Sequence, residues 1–126
     1  MRDMALVFLG GGAGSVLRWL TGLGMLRLFG PQFPLGTLAV NLLGCCVMGV
    51  FFRVLPHPQD SIASSRLLLM TGLLGGYTTF SAFALDSAAL WMRQEIGLAL
   101  LYIGLTLAGS LAGVALGLFV GKLVMA

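Results

Sequence analysis

Apolar residues run almost without interruption along this chain, and polar residues gather in three short clusters that divide it. "FGPQFP" (29–34) holds two prolines and a glycine, "PHPQDSIASS" (56–65) holds two more prolines, and "RQEIG" (93–97) is short and charged. Clusters rich in Gly, Pro and polar residues mark turns. Between them lie four apolar stretches, near 4–28, 35–54, 66–92 and 97–123. A helix crossing hydrocarbon needs roughly 20 apolar residues. The pattern therefore predicts an all-α membrane protein with four transmembrane helices in a single domain, 1–126. Connections this short make successive helices antiparallel neighbours. The first stretch begins Met1-Arg2-Asp3 and its apolar character resumes past Arg18, so it reads as a retained span and not a cleaved signal.

Composition agrees. Hydrophobic residues make up 59% of the 126 and charged residues 9%, against about 25% charged in a soluble domain. The mean hydropathy is +1.04. The net charge of +3 comes from scattered basic residues with no basic run, which points to lipid headgroups rather than nucleic acid. Four spans place Arg2, Arg53, Arg66 and Lys122 on one side and Arg27 and Arg93 on the other. Lys/Arg asymmetry sets orientation. A bias this small allows insertion either way round, a dual topology. Cys45 and Cys46 are adjacent in an apolar stretch. Neighbours on a helix point about 100° apart, so the two read as small packing residues.

Polar groups inside the spans carry the functional signal. Span one holds "GGGAGSVLRW", with Gly10 and Gly14, and Gly11 and Ser15, four apart. Small residues at that spacing let helices approach closely. Arg18 either snorkels to a headgroup or marks an anion-attracting vestibule. In span two, Asn41 of "GTLAVNLLG" reads as interhelical glue or as a pore-facing donor. Span three holds "GLLGGYTTFSAF" (72–83). Gly75-Gly76 before Thr78-Thr79 predicts a broken helix, and in hydrocarbon such a break survives only when buried in protein or lining water. It would free carbonyl oxygens suited to a cation. Phe80 and Phe83 share a face, Asp86 continues it, and Thr79 and Ser81 flank it. In span four Tyr102, Thr106 and Ser110 form a hydroxyl row, and Gly109, Gly113, Gly117 and Gly121 form a flat one. Each step of four drifts about 40°, so both rows occupy one broad face. The glycines predict a close helix contact. The hydroxyls either bond back to their own helix or line a solvated track.

Enzyme chemistry is not visible. His57, the sole histidine, sits in a proline-flanked loop, and no nucleophile–base pair, paired carboxylate or phosphate loop is seen. The interior groups are mostly donors, and phenylalanine edges are weakly positive. Donors with aromatic edges favour an anion over a cation. The residues themselves thus indicate a narrow pathway for a small anion, and no particular ion.

"GTLAVNLLG" and "TGLLGGYTTFSAF", with "RW" in span one and "AGS" in span four, resemble the Fluc (CrcB) family of bacterial fluoride channels over essentially the whole chain. "GGxTTFSxF" is the specific part. The resemblance implies a multi-pass protein of the bacterial inner membrane that passively exports fluoride. It implies a homodimer of oppositely inserted subunits, two fluoride pores and a buried structural sodium ion. Sodium would be held by backbone carbonyls at Gly75 and Thr78. Phe80 and Phe83 would present ring edges to each pore, and Thr79, Ser81, Asn41, Tyr102, Thr106 and Ser110 would line it. Arg18 would stand near its entrance. Departures from the family pattern are Asp86 for a common Glu, Val114 for a frequent threonine and Tyr77 for a commonly aliphatic residue. Two rivals remain. A small proton-coupled drug exporter has a similar size but relies on a carboxylate in span one, which is missing beyond Asp3. A non-transporting assembly protein would use the same polar groups only as glue.

Overall fold

The computed structural model describes residues 1–56 and 64–126. Its elements are α1 (Arg2–Phe29), α2 (Leu35–Val54), α3 (64–77), α4 (Phe80–Met92) and α5 (Ile96–Val124). Helices α3 and α4 together form the third span, Ser64–Met92, so four spans stand where the turn signals placed them. All are helical, and the described residues contain no strand. With 28 and 29 residues, α1 and α5 are each roughly 40 Å long. Either crosses a hydrocarbon core of roughly 30 Å with residues to spare. Large apolar side chains such as Phe8, Trp19, Leu28 and Leu111 are exposed on the outer faces, which suits lipid contact and makes this a multi-pass membrane protein.

The turns follow their residues. Gly30 ends α1 with φ +78 and donates its N–H to Leu26 O at 2.9 Å, a left-handed conformation that glycine adopts without penalty. At the other end of the bundle Arg66 donates to the carbonyls of Phe52, Leu55 and Pro56 at 2.8–3.2 Å. It thereby satisfies the last turn of α2 and anchors the start of the third span. His57, expected in a loop, lies outside the described residues.

Two glycine seams hold the spans together. On α1, a Cβ at Gly10 or Gly14 would strike the α3 backbone at Leu68 O or Leu73 O. From the other side, a Cβ at Gly76 would strike Gly11 O. Between α2 and α5, added Cβ atoms would collide likewise at Gly49 with Val114 O and at Gly117 with Cys46 O. The expected glycine row of span four is therefore a close helix contact, backbone against backbone at Gly113 and Gly117 and against the Leu42 and Arg53 side chains at Gly109 and Gly121. In a bilayer, packing of this kind is what drives helices together.

The third span departs from the expectation in one respect. Gly75 and Gly76 do not open the helix: Gly75 has φ −62 and ψ −36, ordinary helical values. The break lies at Thr78 (φ −76, ψ 156) and Thr79 (φ −153, ψ 119), and the helix restarts at Phe80. Glycine at 76 serves close approach to α1 instead. Before the break, Leu67–Leu74 is wound as a π-helix, a rare geometry that is frequent at functional sites.

Gly117→Ala should destabilise the protein by about 1–3 kcal/mol through overpacking, seen as a lower thermal midpoint in detergent. Gly97→Ala, where a Cβ meets nothing within 4 Å, should leave it unchanged. Equal midpoints for the two variants would rule out the seam as a source of stability.

Candidate functional site

The break is held from α2. Thr79 N–H donates to Asn41 Oδ1 at 2.8 Å, and Asn41 Nδ2 donates to Thr79 O at 3.0 Å. Both residues are buried. The amide oxygen thus replaces the helical acceptor that the N–H of an extended Thr79 has lost, and the amide NH2 adds a donor to a carbonyl that, as the N-cap's, also opens the ladder of α4. Gly44, one turn along α2, makes the room: a Cβ there would overlap the Thr78 methyl. Thr79 also caps the new helix, its Oγ1 accepting from Ala82 N at 3.1 Å and lying 3.2 Å from Ser81 Oγ. A side-chain oxygen at this position is a standard N-cap.

These bonds redirect specific donors. In a continuous helix Thr79 N–H would serve Gly75 O, and Ala82 N–H would serve Thr78 O. Here the first serves Asn41 and the second serves Thr79 Oγ1. The carbonyls of Gly75 and Thr78 are left without those helical donors. Thr78 Oγ1 turns back to Leu74 O at 2.9 Å. Gly75 is exposed in the single chain and Thr78 is half-buried. Among the described residues no three His, Cys, Asp or Glu side chains converge, so a cation at this place would depend on backbone oxygens.

Beyond the break lies an aromatic and hydroxyl cluster. Phe83 is buried, with its ring centroid 5.4 Å from Phe80 and 5.5 Å from Tyr102. Phe80 itself is 75% exposed and faces out of the chain. Tyr102 is fully buried, and its hydroxyl donates to Asp86 Oδ2 at 3.2 Å. Thr106 is 4% exposed. Its Oγ1 neighbours the Tyr102 phenol and is a buried polar atom with no hydrogen-bond partner among the described residues. Ser110, the next member of the row, is half-buried. Arg18 is also half-buried, one turn before the Gly22 that lines the pocket at the α1–α2 turn, and is not itself part of that lining.

Asn41, Thr79 and Ser81 thus cluster at the break, Phe83, Tyr102 and Thr106 beside it, and Phe80 on the adjoining outer surface. Thr37 and Phe33 are neighbours that the sequence did not single out, and Asp86 and Tyr77 gain partners that it did not show. Asp86 was placed on the phenylalanine line without a partner, and its partner is Tyr102. Thr37 brings a hydroxyl to the same phenol; its spacing of four from Asn41, on one face of α2, was the available signal. Phe33, from the turn after α1, packs edge-on against Tyr102 with centroids 5.6 Å apart. Tyr77 lies 3.2 Å from Thr21 through its hydroxyl, so this departure from the family pattern makes a contact with α1.

The fold and site define a small multi-pass membrane protein with a broken third span and a buried lane of hydroxyls and rings. Residues 5–118 match the family model described as CrcB-like protein, Camphor Resistance (CrcB), and the chain belongs to this family. It is 50% identical over 112 residues to a protein of Cereibacter sphaeroides named fluoride-specific ion channel FluC, covering 89% of this chain and 88% of the relative. A protein of Rhizobium johnstonii with that name is 50% identical over 120 residues, covering 95% and 96%. One of Agrobacterium fabrum is 44% identical over 122 residues, covering 97% and 98%.

Asn41→Ala would leave the buried N–H of Thr79 without its partner, at about 1–3 kcal/mol. The expected result is a thermal midpoint well below that of Asn41→Gln, whose longer amide still offers both a donor and an acceptor. A midpoint for Asn41→Ala equal to wild type would show that the clamp does not stabilise the break.

Proposed function

We propose that this chain works as a passive fluoride channel, and not as an enzyme. The observation that carries the reading is the Thr106 hydroxyl. It is buried, neighbours Tyr102 and has no hydrogen-bond partner among the described residues. A hydroxyl serving as glue would be paired, because an unpaired buried polar group is costly. A free donor in a lane of phenylalanine rings instead suits a small anion that exchanges part of its water for O–H groups and ring edges. The name shared by the relatives supplies the ion. On this reading Asn41, Thr79, Ser81, Phe80, Phe83, Tyr102, Thr106 and Ser110 border the path, and Arg18 draws anions toward it. Fluoride accumulated in the cytoplasm leaves down its gradient, helped by the inside-negative potential.

The finer reading is an antiparallel homodimer with two paths and a structural sodium ion between the subunits. Its support is the outer face around the break. That face carries exposed Gly75, Phe80 and Ser81 beside half-buried Thr78. Backbone interrupted in this way is not left facing hydrocarbon, so on this reading a second copy covers the face. Oxygen ligands freed at the end of a half-helix suit Na⁺, and Gly75 and Thr78 would supply them. Phe80 would then complete the aromatic wall of the partner's path.

The deciding experiment is ion efflux from liposomes holding the purified protein. Fluoride should leave rapidly and chloride should not. Thr106→Val should lower fluoride efflux by on the order of tenfold, the scale of about 1.4 kcal/mol for a lost donor, with no loss of thermal stability. A stable, folded dimer that passes neither ion would favour the assembly-protein reading. For the cation, extended dialysis from sodium into potassium at constant ionic strength should lower the thermal midpoint, because a ligand bound only to the folded state stabilises it. An identical midpoint in the two salts would count against a sodium site.

A further inference from the structure

A pocket of about 330 Å³ opens where the α1–α2 turn meets α4. Thr37, Leu90, Asp86 and Arg93 are among its lining residues, and two formal charges of opposite sign stand there. They are seven residues apart on α4, so two turns and roughly 10 Å separate them along one helix face. Asp86 is the inner charge, because Tyr102 donates to it. Arg93 is the outer one, at the C-terminal cap of α4. Its side chain is 52% exposed, and its guanidinium reaches Glu95 only at 3.8 Å. An exposed pair at that separation ties a guanidinium weakly.

We infer that Arg93 gathers anions at this mouth of the pathway, and that Glu95 sets how much of its charge an arriving fluoride feels. The inference rests on the pathway reading given above, in which Tyr102 and Thr106 border the route. The pocket joins that route through Asp86 and Thr37, both of which neighbour the Tyr102 phenol. Without Arg93, the remaining formal charge on the pocket lining is the Asp86 carboxylate, which repels an anion. With Arg93 the lining is neutral overall and positive at its rim. Apolar walls such as Leu26, Phe33 and Leu90 keep the local dielectric low and focus that rim charge into the opening.

Steering of this kind depends on ionic strength, whereas a packing role does not. Charges act over roughly 30 Å at 0.01 M salt and roughly 3 Å at 1 M. The experiment is fluoride efflux from liposomes at 10 mM and at 1 M potassium gluconate, with wild type and variants matched for dimer content. Arg93→Gln should reduce efflux about two- to fourfold at low salt, as expected for one charge acting across about 5–10 Å of water, and should match wild type at high salt. Arg93→Lys should behave as wild type, and Glu95→Gln should raise low-salt efflux. Arg27→Gln, which removes a charge from the last turn of α1 outside the pocket lining, should change it much less. The proposal fails if Arg93→Gln equals wild type at both salts, is reduced equally at both, or is matched by Arg27→Gln. Wild-type protein without fluoride efflux would instead remove the pathway reading, and the role of Arg93 with it.

Discussion

The amide of Asn41 against the backbone of Thr79 is the interaction on which the rest of the site depends. A membrane helix cannot interrupt its own hydrogen bonding unless something else satisfies the groups set free. Asn41 does this with one side chain, accepting from the N–H and donating to the C=O of the same residue. Because that N–H is taken, the carbonyl of Gly75 is released. Because Thr79 is extended, its hydroxyl caps the next helix and releases the carbonyl of Thr78. The restart at Phe80 then sets the rotation of α4. That rotation buries Phe83 against Tyr102 and leaves Phe80 on the outside.

The glycines make such a clamp possible by bringing backbones within reach. Gly44 admits Thr78 beside α2, and Gly76 lets α3 lie directly on Gly11 of α1. Gly49 and Gly117 draw α5 equally close to α2. The hydroxyl row of α5 is thereby carried to the same side of α2 as Asn41. Seam and lane are two halves of one helix face, as a drift of about 40° for every four residues requires.

Much of this was legible in the chain. Four spans, their turns, the glycine seam and the broken third helix all followed from spacing and composition, because hydropathy and small-residue periodicity are local properties. The position of the break was not. Gly75-Gly76 carries the stronger local signal for an interruption, yet it stays helical, because a partner for the freed backbone exists only opposite Thr79. That partner lies 38 positions earlier in the chain, and no local rule reports it. The hydrogen bond from Tyr102 to Asp86 was hidden for the same reason. The opposite fates of Phe80 and Phe83, three residues apart on one helix, depend on which side the neighbouring spans cover, and periodicity alone does not say which.

The two halves of the third span bear on how the chain is built into a bilayer. Helix α4 has 13 residues, roughly 20 Å, and α3 is of similar length. Neither half alone reaches across a hydrocarbon layer of roughly 30 Å. The span must therefore integrate as one unit, with an open joint at its centre. Synthesis runs from the N-terminus, so α1 and α2 leave the ribosome before that joint does. The residues that will accept it, Gly11 on one side with Asn41 and Gly44 on the other, have already been synthesised when Thr78 and Thr79 emerge. The order of the spans along the chain thus shields the least lipid-tolerant stretch of backbone at the moment of its insertion.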